Sequence, residues 1–135
     1  MNARFPALLC LLVSACSGSH DEARDRHRVA TAIDAIRDTP ALDVDRRIQL
    51  ANDLEKLDVR TPLALKARDE CAKAYKSMAD STKLAAIASA GLDPKSSADP
   101  AATLAAARDA IKAQDDSDAA MATCADASAA IRARP

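Results

Sequence analysis

Val29, Ile33 and Ile36 recur at intervals of four and three, while Arg24, Arg26, Arg28 and Asp34 occupy other faces. This is the period of an amphipathic helix, and it predicts a first helix over 21–37. Glu22 and Arg26, four residues apart, form a favourable pair on it. Asp38-Thr39-Pro40 then stops that helix. Threonine as cap with proline in the first turn predicts a second helix starting there, with Asp43 as the alternative cap. Val44, Ile48 and Ala51, flanked by Leu50, Leu54 and Leu57, give that helix a broad apolar stripe to about Leu57. It is expected to be the most hydrophobic helix and the centre of the core.

Arg60-Thr61-Pro62 repeats the punctuation and predicts a third helix over 62–90, ended by Gly91. Its seam is Ala64, Ala67, Cys71, Ala74, Met78, Ser81, Ala85 and Ala88. The intervals alternate three and four, a heptad pattern of small residues that lets a partner helix come close. At a rise of 1.5 Å per residue this helix would be roughly 43 Å long. Asp80-Ser81-Thr82 is where it could break or kink.

Residues 91–99, with Pro94 and two serines, form the clearest loop. Asp99 and Pro100 then open a fourth helix expected to end near Gln114, with Leu104, Ala107 and Ile111 on its buried face. Asp115-Asp116-Ser117 reads as a tight turn into a fifth helix over 117–132, carrying Met121, Cys124, Ser128 and Ile131 on one face. The last two helices would pair as an antiparallel hairpin. Within them Leu104, Ile111, Ala120 and Ala127 loosely resemble the spacing of a tetratricopeptide repeat. Arg108 stands where a small residue is usual there, and no second copy follows. The expected fold is an all-α bundle of four to five helices.

The N-terminal pattern is different. One positive charge at Arg4 precedes an apolar run from Phe5 to Val13, and the small residues Ser14 and Ala15 lead into Cys16. This is the layout of a secretory signal, with a run too short for the ~20 apolar residues that span a bilayer. Val13-Ser14-Ala15-Cys16 also resembles the lipobox of bacterial lipoproteins. That resemblance covers only the first sixteen residues. It implies a diacylglycerol on the Cys16 sulfur, cleavage before Cys16, and acylation of the new amino terminus by a fatty acid such as palmitate. With Ser17 rather than aspartate next, it implies sorting to the outer membrane, the domain facing the periplasm. The plain alternative is an ordinary signal cut after Ala15. The expected organisation is a leader over 1–15, a short tether over 16–20 and a helical domain over 21–135. Five extended residues reach about 17 Å at most, so the domain would stay close to its membrane.

Removal of the leader sorts the cysteines. Cys10 leaves and Cys16 takes the lipid. Cys71 and Cys124 remain as an even pair in an oxidising compartment, which reads as one disulfide. Closing a loop of roughly 54 residues would contribute about 4 kcal/mol in the chain-entropy account. Of 19 basic residues Arg4 is lost, leaving 18 against 20 acidic ones. This interleaved, near-neutral balance gives no footprint for nucleic acid. Tyr75 is the one aromatic residue outside the leader, which argues against base stacking or an aromatic-lined cleft. Arg24, Arg26, His27 and Arg28 cluster near the anchor. They suit either anionic head groups or, as we favour, a solvated face balanced by Asp21, Glu22 and Asp25.

Candidate chemistry is sparse. His20 and His27, with Asp21 or Glu22, form only a weak potential metal pair, and no HExxH pattern is present. Neither histidine has an obvious serine or cysteine nucleophile with which a triad could be argued. Gly18 and Gly91 are the only glycines, so no phosphate-cradling loop is expected. Carboxylates such as Asp69, four residues before Lys73, read as surface ion pairs. Met78 and Met121 read as gap-fillers, not ligands. The expectation is no metal, no cofactor and no catalytic residue. The chain would be a non-enzymatic protein-binding or accessory module of an envelope or secretion complex. The alternative is an immunity-type inhibitor that neutralises an envelope-directed toxin.

Overall fold

A computed structural model of the chain describes residues 17–93 and 95–133, without the side chains of residues 17–19. The leader, Cys16 and Pro94 fall outside the described residues. The chain order is α1 (Ser17–Arg37), α2 (Val44–Glu55), α3 (Pro62–Gly91) and α4 (Pro100–Arg132), and no strand occurs among the described residues.

The helix α1 starts four residues before the predicted point, so positions 17–20, expected as a tether, are helical. Extending an existing helix costs little per residue, and no proline interrupts this segment. Val29, Ile33 and Ile36 are all buried, as their spacing predicts. Thr39 does not cap α2. Its hydroxyl donates to the Ala35 carbonyl at 2.8 Å and so ends α1. Asp43 is the cap, its side chain accepting the Arg46 amide at 3.3 Å. Only Ala51 and Leu54 of α2 are fully buried. The centre of the bundle is instead α3, the helix that all three others pack against. The helix α2 touches α1 and α3 but not α4.

No break interrupts α3. The hydroxyls of Ser81 and Thr82 both donate to the Met78 carbonyl at 2.9 Å, inside the helix. The helix ends at Gly91 as expected, but without a left-handed cap, since no glycine among the described residues has positive φ. Its role is space. A Cβ there would lie 2.8 Å from Thr103 Oγ1 and 3.0 Å from Thr103 Cγ2.

The predicted fourth and fifth helices are one helix of 33 residues. The expected turn at Asp115-Asp116-Ser117 is bridged by pairs one helical turn apart. Lys112 Nζ lies 3.5 Å from Asp116, and Gln114 Nε2 donates to Asp118 at 2.8 Å. The long α3 supplies a partner along almost its whole length. The antiparallel hairpin is therefore α3–α4, and the tetratricopeptide-like spacing falls along a single helix. The second half of α4 buries Cys124 and Ile131 as expected, but in the first half the buried face is rotated from the expected one. Thr103, Ser117, Cys124, Ala127 and Ile131 are buried, while Leu104 and Ile111 are 55% and 64% exposed. Because α2 does not reach α4, nothing covers that side.

The disulfide joins Cys71 to Cys124 across the hairpin, with Cα atoms 4.5 Å apart. Alanines on both sides of the bridge permit so close an approach.

Candidate functional site

The hairpin α3–α4 has an open end, where α3 begins and α4 finishes, and α1 crosses it. Two consecutive residues of α1 close that end. Asp25 is buried, and its Oδ2 accepts the amides of Arg60 at 2.8 Å and Thr61 at 3.2 Å. Arg26 donates from Nε to the Ile131 carbonyl at 2.8 Å and from Nη2 to the Ala133 carbonyl. A carboxylate thus meets amides at the positive start of one helix, and a guanidinium meets carbonyls at the negative finish of the other. Thr61, the formal cap of α3, makes no capping bond with its side chain. Asp25 instead accepts the two amides that lead into the helix, from 35 and 36 residues away.

Beside this latch lies an open polar cleft of about 560 Å³, lined by Asp21, Arg24, Asp25, Arg28, Asp58 and Arg60. Three carboxylates and three guanidiniums line it. Arg24 Nη2 lies 3.2 Å from Asp21 and 3.6 Å from Asp25 Oδ1. Arg28 Nη1 donates to the Asp58 main-chain carbonyl at 2.6 Å. Among the described residues, the Asp58 carboxylate and the Arg60 guanidinium have no ion-pair partner within 4 Å. The Arg60 amide, helped by Thr61 and Arg24, holds the Asp25 carboxyl below the ordinary carboxylate range, against the opposing pull of its burial. Farther along α1, a hydrogen bond from Arg132 likewise lowers Asp34, at 2.8 Å.

The fates of the other candidates differ. Cys16 lies outside the described residues. Cys71 and Cys124 come together as expected. The basic cluster of α1 is neither a free patch nor a simple solvated face. Arg26 caps α4, Arg28 binds the chain before α3, and Asp25, read as a solvated counter-charge, is buried. His20 and His27 are exposed, and no cluster of three metal-ligating side chains occurs among the described residues. Asp69 pairs with Arg68 at 2.7 Å rather than with Lys73. Met78 and Met121 are half-buried against the core. No helix of the described residues is long and apolar enough to cross a membrane.

A second feature is the far part of the hairpin. Every member of the hydrophobic core lies in α1, α2, the α2–α3 connection, or the parts of α3 and α4 before position 79 and after position 119. Beyond that level the two helices continue as an arm, about 20 Å of helix at 1.5 Å per residue, touched by α2 at its foot, where Lys83 Nζ lies 3.4 Å from Asp45. Its interior is Ala79, Ser81, Ala88, Thr103 and Ser117. Its surface carries Ile87, Leu92, Leu104 and Ile111, four of the six strongly exposed large apolar side chains among the described residues. Comparison of the chain with protein-family models, with curated proteins and with solved structures gave no match.

Proposed function

We propose that this chain is a non-enzymatic accessory lipoprotein of the bacterial envelope, anchored through Cys16, whose arm engages a protein partner. The observation that carries the reading is the exposure of Ile87, Leu92, Leu104 and Ile111 on a part of the molecule that lies outside its main hydrophobic cluster. Burying a large apolar side chain at an interface removes it from water with a gain of about 1.5–3 kcal/mol before the costs of association. A disulfide-stapled base that holds a slender helical pair outward suits a presenting role. The lipobox resemblance and the cysteine pairing support an oxidising envelope compartment.

The test is crosslinking and co-purification from native membranes, with three chains compared: wild type, Cys16→Ser, and a Leu104→Ser/Ile111→Ser double variant. One stoichiometric partner, diminished by Cys16→Ser and lost with the arm variant while circular dichroism is unchanged, supports the reading. A partner retained by the arm variant would place recognition elsewhere. Retention of Cys16→Ser on membranes after the partner is deleted would sink the lipid anchor.

A further inference from the structure

We infer that the exposed face of α4 docks on the same face of a second copy of this chain, antiparallel, with a two-fold axis beside Ile111. The inference names the partner of the arm, so it rests on the reading of the arm as an interaction surface; it makes no use of the anchor.

Leu104, Arg108, Ile111, Asp115 and Ala119 are all exposed. Their intervals of four, three, four and four place them within about 80° of one another around the helix, at about 100° per residue. The stripe is continuous because Asp115 lies inside an unbroken helix instead of a turn. The helix α2 does not reach α4, and α1 bonds to α4 only near its finish, at Ile131 and Arg132. Two of the four large apolar side chains exposed on the arm, Leu104 and Ile111, belong to this stripe.

The order of residues along the stripe selects the partner. In a two-fold contact one patch serves both copies, so residue i meets j and j meets i. Run antiparallel about a point just after Ile111, the stripe sets Ile111 against Ile111 of the second copy. On either flank Arg108 faces Asp115, and beyond that the large Leu104 faces the small Ala119. Ala101 and Ala122, both exposed, meet farther out. The two charges are also free to pair. Among the described residues Arg108 and Asp115 have no ion-pair partner within 4 Å, whereas Lys112 holds Asp116 at 3.5 Å and Gln114 donates to Asp118 at 2.8 Å. An unrelated partner would not require opposite charges at equal distances on the two sides of one apolar centre. A copy of the same helix does, and complementary charge fixes its register.

From Ala101 to Ala122 the contact is about 33 Å long and one helix wide. That is the small end of specific interfaces, and a dissociation constant on the order of 10 µM is expected. At submicromolar concentration the chain is a monomer and Ile111 stands in water.

The test is sedimentation equilibrium of the full chain carrying Cys16→Ser, at protein concentrations from about 1 µM to about 1 mM. A monomer–dimer equilibrium is expected. Arg108→Asp alone and Asp115→Arg alone should each weaken it about tenfold or more, because each turns both ion pairs into like-charge contacts. An equimolar mixture of the two variants should dimerise again, since opposite charges then face each other on both flanks. The double reversal Arg108→Asp/Asp115→Arg in one chain should do the same. Circular dichroism checks the fold of each variant, and recovery on mixing excludes a misfolded chain. A wild type that stays monomeric throughout would overturn the inference. So would a dimer indifferent to both single reversals, or a mixture that stays monomeric. The arm reading is judged separately by the membrane crosslink. A monomeric wild type whose arm still captures one stoichiometric partner of different mass would keep the arm as a recognition surface and remove the second copy as its occupant.

Discussion

The same two helices, α3 and α4, are held together in different ways at their two ends. In the base, Val29, Ile33, Ile36 and Leu54 wrap the hairpin, a disulfide crosses it, and Asp25 and Arg26 close its open end. In the arm, past an Asp45–Lys83 ion pair with α2 at its foot, the hairpin packs on itself along small residues such as Ala79, Ser81, Ala88 and Ser117. Large side chains bury more area and contribute more per residue. Small ones bring helix axes close and leave the long apolar residues nowhere to go but outward. The base is built to be stable, and the arm to be thin and available. Local opening free energies should follow that division, with arm amides exchanging faster than base amides.

The sharpest way to break the comparison is to remove the bridge at its foot. Cys71 and Cys124 are 53 residues apart, and the disulfide lies in the core. Reduction, or Cys71→Ser with Cys124→Ser, should cost about 4 kcal/mol in urea titrations, part of it from the freed unfolded chain. A loss under ~1 kcal/mol would mean that packing in the base already suffices.

Next in size is a paired truncation. Ile36 is fully buried in the base and Ile111 is 64% exposed on the arm. Ile36→Ala should cost about 3 kcal/mol, a transfer loss plus a cavity. Ile111→Ala should stay within about 0.5 kcal/mol. Comparable losses at the two positions would show that the arm is covered in solution, by a second copy of the chain or by a fold of the tip.

The latch adds a pH dependence. The Asp25 carboxyl is held below its ordinary range by amides that exist as donors only in the folded state. A carboxyl lowered on folding contributes stability above its unfolded pKa, and that contribution fades as pH falls through the lower folded value. Asp25→Asn keeps an acceptor but loses the charge. It should be less stable than wild type at neutral pH, by less than Ile36→Ala. The gap should close progressively below about pH 4. Asp34 adds a smaller acid-sensitive contribution of the same sign, weakened by solvent because its side chain is 33% exposed. A constant gap across pH would show that the carboxylate form is not what the Arg60 and Thr61 amides select.

How much of this was legible in the chain depended on distance along it. The period of Val29, Ile33 and Ile36, the Asp99-Pro100 start and the Ala64-to-Ala88 seam are local patterns, and the structure follows them except at Ala85, which is exposed. The unity of α4 was also written locally, but under a louder signal. Leu104 and Ile111 drew the buried face to themselves. The intervals of three and four instead run unbroken through Thr103, Ala106, Ala110, Ala113, Ser117, Ala120, Cys124, Ala127 and Ile131. That seam passes straight through the expected turn. The latch was not legible, because nothing near Asp25 reveals amides 35 residues away that need an acceptor. For the same reason the cleft, assembled from α1 and from Asp58 and Arg60, appears only once the helices are packed.

The smallest effect tests the tip, where the comparison is most delicate. Glycine in a helix normally costs about 1 kcal/mol against alanine, so Gly91→Ala would stabilise an isolated α3. Here the new Cβ meets Thr103 on α4 at 2.8 Å and 3.0 Å, and the Thr103 Cβ itself at 3.3 Å. The Thr103 hydroxyl is also tied to the Asp99 carbonyl at 3.1 Å, which resists its turning away. The clash should outweigh the propensity gain and leave Gly91→Ala about 1 kcal/mol less stable than wild type. Thr103→Ala removes both of the closest atoms. In that background Gly91→Ala should become neutral or stabilising, a coupling of about 1 kcal/mol or more in a double-mutant cycle. Simple additivity would mean that the helices do not approach so closely at the tip. The alanine-and-glycine seam would then hold the arm only near its foot, and the tip would open freely.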